Sequence, residues 1–183
     1  MMPRRAHAVT IPALAAVVSL AGCVGANDDS TIAERRELGN IRPWNVVPNA
    51  SPRTLVATFK RYCLDGPADA ARAAAMLRSA SFVPQGGWVG GLRAFVVDDS
   101  RPQVIISDDG RGCAVSALSR TGQTQALTEM IADRLPQAQA LGPTGRAVEQ
   151  VWATGRTPRE RILLIRDGTP APLNKITIAL QRH

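Results

Sequence analysis

Three short apolar segments, Trp88 to Val97, Gln103 to Ser107 and Cys113 to Leu118, are separated only by Asp98-Asp99-Ser100-Arg101-Pro102 and Asp108-Asp109-Gly110-Arg111-Gly112. Aspartate, glycine and proline packed this tightly between apolar runs are turn signals, and the gaps are too short for a crossover connection. The three segments are therefore constrained to an antiparallel meander. In the third, Cys113, Val115 and Ala117 share one face, the face expected to meet a helical layer.

Helical patterns flank this meander. Ser51 is a good N-cap and Pro52 follows at the first helical position, where its missing N–H costs nothing. Leu55, Val56, Phe59, Tyr62 and Cys63 then recur on one helical face. Gly66 and Pro67 interrupt the chain. Ala68 to Ala80 reads as a second helix, rich in alanine, closed off by Phe82 and Val83 before Pro84. A third helix is expected over Gln123 to Leu135, with Leu127, Met130, Ile131 and Leu135 on a stripe. After a loop from Gln137 to Gly145 come three more strand segments, Ala147 to Ala153, Arg161 to Arg166 and Lys175 to Leu180. The expected fold is α+β: an antiparallel sheet built from two three-stranded meanders packed against two to three helices.

The N-terminal region is of another kind. Arg4 and Arg5 precede Ala8 to Ala21, an apolar run of about 21 Å as a helix, shorter than the roughly 30 Å hydrocarbon core. It reads as an export signal. The segment Leu20-Ala21-Gly22-Cys23 that ends it resembles the lipobox of bacterial lipoproteins at all four positions. That resemblance implies cleavage after residue 22, acylation of Cys23, and anchoring to a membrane by several chains at ~0.8 kcal/mol per buried CH₂. Val24, in place of the Asp that retains such proteins at the inner membrane, implies the periplasmic side of the outer membrane. Residues 1–22 are thus expected as signal peptide, 23–50 as lipidated N-terminus and flexible tether, and 51–183 as one domain. Trp44 in the tether is placed to pack on the domain.

With Cys23 committed to lipid, Cys63 and Cys113 remain in an oxidising compartment. One lies on the apolar face of the first helix and the other on the inward face of a strand, so a disulfide between them is expected, the alternative being two buried free thiols. A helix ending in Phe59, Tyr62, Cys63, Leu64, an alanine-rich helix leading to Phe82, and a strand opening Gly112-Cys113-Ala114-Val115 together resemble a family of small uncharacterised proteobacterial exported proteins and lipoproteins, over roughly Leu55 to Leu118. The resemblance supports the Cys63–Cys113 pairing and carries over no catalytic residue.

The chemistry is sparse. The chain carries +7, and loss of Arg4 and Arg5 with the signal leaves +5, almost all of it arginine apart from Lys60 and Lys175. The arginines are scattered and few aromatics accompany them, so no nucleic-acid partner is expected. His7 departs with the signal and His183 is the final residue, which leaves histidine-dependent hydrolase mechanisms without an imidazole. No ligand set for zinc, phosphate loop, dinucleotide fingerprint or nucleophile elbow is present, so no metal, cofactor or catalytic residue is assigned. The pairs Asp98-Asp99 and Asp108-Asp109 fall in turns, where aspartate caps the backbone. Trp88 and Trp152 fall in strand patterns and read as core, although an exposed face with Trp and Arg would suit a sugar. The first reading is a non-enzymatic tethered domain that binds or scaffolds an envelope component. The alternatives are an accessory or pilot subunit holding a partner protein, favoured by an apolar patch on the sheet, and a carboxylate-dependent enzyme acting on envelope glycan.

Overall fold

A computed structural model describes residues 31–41, 48–145, 147–168 and 174–182. Cys23, Trp44 and His183 lie outside them. The described residues form four α-helices, α1 (Ile32–Ile41), α2 (Pro52–Phe59), α3 (Ala70–Ser79) and α4 (Gln123–Arg134), and eight strands. The strands are β1 (Val83–Pro84), β2 (Leu92–Val96), β3 (Gln103–Ser107), β4 (Gly112–Leu118), β5 (Gln139–Gly142), β6 (Val148–Ala153), β7 (Arg161–Arg166) and β8 (Lys175–Gln181). All pair antiparallel in one sheet of order β1-β2-β3-β4-β8-β7-β6-β5.

The fold is α+β with two meanders, as the sequence leads one to expect, and each meander is one strand longer than the pattern announces. Each starts at an outer edge of the sheet and steps inward, and the two join where β4 pairs with β8, with Val115 opposite Ile178 at the middle of the seam. The two extra strands are the edges. β1 is two residues long and contains Pro84, which gives a ladder one N–H fewer and suits only an edge. β5, Gln-Ala-Leu-Gly, has no β-branched or aromatic residue and is almost wholly exposed, so it shows no alternation; its register with β6 shifts between Ala140 and Gly142. A short proline-bearing strand at one edge and a bulged one at the other leave little free ladder for a foreign strand.

Helix α2 begins as its residues dictate. The Ser51 hydroxyl accepts from the Thr54 N–H at 3.1 Å, with Pro52 behind it. The helix then widens into a π turn over Lys60–Leu64, closed by the Asp65 N–H donating to the Lys60 carbonyl at 2.9 Å. Tyr62, Cys63 and Leu64 are all buried there. Helix α3 is capped by the Asp69 carboxylate on the Arg72 N–H at 2.8 Å. Its C-terminus is a Schellman turn: the Phe82 N–H donates to the Leu77 carbonyl and the Ser81 N–H to the Arg78 carbonyl, both at 3.0 Å. Ser81 occupies the left-handed position at φ 66° that glycine usually fills. The turn drives Phe82 inward, edge-on to Tyr62 with ring centroids 5.3 Å apart.

The core lies between the sheet and the helical layer. Val104, Ile106, Cys113, Val115, Ile162, Leu164, Ile176, Ile178 and Leu180 meet Leu55, Phe59, Leu77, Leu127 and Ile131 in one cluster. Trp152 is in that cluster. Cys63 and Cys113 are joined as a disulfide, with Cα atoms 5.3 Å apart, and so tie the π turn to the central strand β4. The turn between β3 and β4 brings the backbone up against the segment preceding α3: Gly110 has φ +71°, and a side chain there would overlap the Ala68 carbonyl.

Where the sequence leads one to expect a tether with little periodicity, residues 32–41 form α1, which lies against β1. The Arg78 Nε donates to the Glu34 carboxylate at 2.6 Å, and the Thr31 N–H donates to the same carboxylate at 2.7 Å. The Thr31 hydroxyl in turn accepts from the Glu34 N–H at 3.2 Å. This is a capping box, which holds together a helix with few apolar residues. Burial raises the Glu34 pKa, but these hydrogen bonds and the Arg78 charge outweigh it and leave the pKa below its usual value.

Candidate functional site

Strand residues point alternately to the two faces of a sheet, and here the two faces have different neighbours. The π turn and helices α2, α3 and α4 share a core with one face. Among the described residues, no helix contributes to a core on the other. On that second face the registers align Ala94 with Ile105, Ile105 with Ala114, Ala114 with Ala179, Ala179 with Leu163, and Leu163 with Val151. Six apolar side chains thus form one row across β2, β3, β4, β8, β7 and β6. Five are half-buried, and Val151 is nearly covered. No charge interrupts the row.

Beside it runs a second row in which Ser116 faces Gln103 and Thr177, and Thr177 faces Ile165. The Ser116 and Thr177 hydroxyls lie 3.0 Å apart and satisfy one another, so the small polar groups cost little to cover. Charged side chains stand at the margins: Lys175 at one end of β8, and Arg161 opposite Gln181 at the other. An apolar centre with satisfied hydroxyls and a charged rim is the anatomy of a protein-binding surface. The signal was present in the sequence. Arg-Ile-Leu-Leu-Ile-Arg and Gln-Val-Ile-Ile-Ser are nearly continuous apolar runs, which mark strands that are apolar on both faces.

The described aromatic residues are elsewhere. Trp152 faces the helices and is buried. Trp88 is half-buried and packs against the core, with the Arg93 guanidinium carbon 6.0 Å from its ring centroid. Arg93, itself buried, also donates to the Gly86 carbonyl at 3.0 Å. Among the described residues, this face therefore carries no tryptophan platform for a sugar.

The acidic pairs are held in their turns at opposite ends of β3. Asp98 accepts from the Ser100 N–H and hydroxyl, and its second oxygen takes the Arg101 Nε and Nη2 at 2.9 and 2.6 Å. Burial raises its pKa, but these bonds and the Arg101 charge prevail and hold it at about 2. Asp109 accepts from the Ser107 hydroxyl and the Arg111 N–H, which together lower its pKa. Two carboxylates converging in one cleft do not arise from these four residues. Among the described residues, no group of three or more His, Cys, Asp or Glu side chains is placed to hold a metal ion, and no helix is long and apolar enough to cross a membrane.

One buried charge cluster does arise. Glu160, 3 % exposed, bonds the Thr154 hydroxyl at 2.8 Å and pairs with Arg156 at 3.0 Å and Arg182 at 3.5 Å. The two guanidiniums reach onward to main-chain oxygens at the end of the π turn, Arg156 to Leu64 at 3.1 Å and Arg182 to Cys63 at 2.7 Å. Burial lowers the Arg182 pKa, and the Glu160 charge opposes that shift. Every partner is an internal group, so the cluster's role is to fasten the β6–β7 turn and the end of β8 to the π turn. The sequence gives no sign of it, because Thr154, Arg156 and Glu160 read as an ordinary polar turn, and Arg182 and the main-chain oxygens of the π turn are far from them in the chain. Against this geometry, comparison with known family models, curated proteins and solved structures finds none that matches the chain.

Proposed function

We propose that this chain is a membrane-tethered, non-enzymatic envelope domain that holds a partner protein against the uncovered face of its sheet. The observation that carries the reading is the uninterrupted row Ala94, Ile105, Ala114, Ala179, Leu163 and Val151 with its charged margin. Such a face is better suited to protein than to glycan, because glycan recognition draws on exposed aromatic rings and hydrogen-bonding side chains. The tether is the acylated Cys23 that the lipobox Leu20-Ala21-Gly22-Cys23 implies, and the outer membrane is the site that Val24 implies.

The test places a photo-crosslinking residue at Ile105 or Leu163, with a third version at the exposed Glu129 of α4, and irradiates intact cells. A protein adduct is expected from the two sheet positions and not from Glu129. It should disappear when Ala114→Arg puts a charge in the middle of the row. Adducts of equal yield at all three positions, or none at the sheet positions, would refute the assignment of this face. Replacement of Cys23 with Ala separately tests the tether, and is expected to move the domain into the soluble fraction.

A further inference from the structure

The helical side of the molecule holds a site of different chemistry. Arg53, Ala57 and Arg61 follow one another at helical spacing along α2 and the π turn, with Thr54 and Thr58 beside them. This strip faces Tyr62, Phe82 and Arg101 across a cleft of about 380 Å³. Three guanidiniums and two hydroxyls therefore line one concavity, and no carboxylate is among its described lining residues. Ala57, lacking a long side chain, leaves the space between the arginines open.

Two of the guanidiniums are held in place by groups that leave them free to bond outward. Arg61 lies with its guanidinium carbon 5.2 Å from the Tyr62 ring centroid, and Arg101 lies 5.8 Å from that of Phe82. Asp98 engages Arg101 only through Nε and Nη2, so the Nη1 hydrogens remain free for another acceptor. With its carboxylate ionised down to about pH 2, Asp98 works as a fixed orienting group. Arg53, on the exposed side of α2, completes the set. Among the described residues, the three arginines of the lining stand against this one paired carboxylate.

We propose that the cleft binds a phosphate-bearing anion. Guanidinium forks match the paired oxygens of phosphate, and a tetrahedral group with three free oxygens can bond several forks and a hydroxyl at once. A planar carboxylate offers only two oxygens. The cleft is also large enough for a glycerol- or sugar-sized group esterified to the phosphate. The proposal concerns a different face from the one assigned to a protein partner and does not rest on that assignment.

The test is calorimetric titration of the purified chain, carrying Cys23→Ala so that no acyl chain contributes, with inorganic phosphate, glycerol 3-phosphate and acetate. Both phosphates are expected to bind saturably at one site and acetate at least tenfold more weakly. Loss of a charge-assisted contact in Arg61→Gln or Arg53→Gln should weaken phosphate about tenfold each. Thr58→Val should weaken it a few-fold, while Arg72→Gln, the same charge change at a residue outside the cleft, should leave it unchanged. Flotation with phosphatidylglycerol vesicles then distinguishes the sources. Flotation that glycerol 3-phosphate competes away and Arg61→Gln diminishes identifies a lipid headgroup, and phosphate binding without flotation identifies a soluble phosphate. Absence of saturable phosphate binding, acetate binding as tight as phosphate, or equal weakening by Arg72→Gln and Arg61→Gln would each overturn the proposal.

Discussion

Reduction of the Cys63–Cys113 bond is the perturbation whose size follows most directly from the structure. The bond closes a loop with a sequence separation of 50. In the chain-entropy description, freeing a loop of that length restores about 14 cal/mol/K to the unfolded chain, or about 4 kcal/mol at 25 °C. Both sulfurs are buried, Cys63 at 0 % and Cys113 at 6 % exposure. Reduction leaves them in place as small apolar groups, whereas Cys→Ala also removes their packing, worth about 1 kcal/mol each. The reduced protein should therefore lose about 4 kcal/mol, Cys63→Ala or Cys113→Ala about 5, and the double variant about 6 rather than the 10 of independent sites. With a urea slope of about 2 kcal/mol/M, reduction should lower the midpoint by about 2 M. The assay is urea unfolding followed by tryptophan emission, with and without dithiothreitol added to the unfolded stock before refolding. Equal midpoints for oxidised and reduced protein, or additive single-variant losses, would refute the reasoning.

Three further outcomes are expected. Ser81→Gly removes the left-handed strain at the end of α3 (φ 66°) and should stabilise the domain by about 0.5 to 1 kcal/mol, read as a rise of roughly 2 °C in Tm; an unchanged or lowered Tm contradicts it. Glu160→Gln leaves Arg156 and Arg182 without their shared charge and should cost about 3 kcal/mol in urea unfolding, whereas Asp109→Asn on the exposed turn should stay within about 0.5 kcal/mol; similar losses for both would remove Glu160 from its structural role. Asp98, held at about 2 against an ordinary 3.8, contributes stability that is present above the ordinary value and lost as pH falls through about 2. Asp98→Asn should therefore flatten the decline in urea midpoint between those two values, and an identical decline in both proteins would count against the Arg101 and Ser100 bonds.

The parts of the fold that were legible in the sequence are those in which local pattern and tertiary role coincide. Ser51 and Pro52 announce α2, the Asp-, Gly- and Pro-rich turns bracket β3 and β4, alternation announces β8, and the partnering of Cys63 with Cys113 follows from their faces. The parts that were not legible are those where the neighbour makes the element. β5 is a strand because β6 lies beside it, and α1 is held by a capping box and by Arg78 across the chain. The π turn buries Tyr62, Cys63 and Leu64 in succession, which no helical period describes; there β4, β8, α3 and two arginines, one from the β6–β7 turn and one just past β8, meet the chain. The candidate site divides in the same way. The apolar residues of the uncovered face are visible one strand at a time, but their alignment into a row depends on the registers, and above all on the β4–β8 seam that joins the two meanders.

That seam also sets how the two proposed surfaces relate. The apolar row runs straight through it at Ala114 and Ala179, so the proposed binding face is continuous only because the meanders meet through their last strands. The arginine cleft opens on the helical side of the sheet, between the α2 and π-turn strip and the residues Phe82 and Arg101. An anion in the cleft and a protein on the sheet would not touch, and neither would displace the other. Should the anion be a lipid headgroup, the helical layer would face the membrane and the apolar row would face away from it, the orientation in which the proposed tethered domain would present the proposed partner to the space beyond the bilayer. Should it be a soluble phosphate, the proposed tether alone would set the distance from the membrane, and the sheet would be free to engage the proposed partner in any orientation.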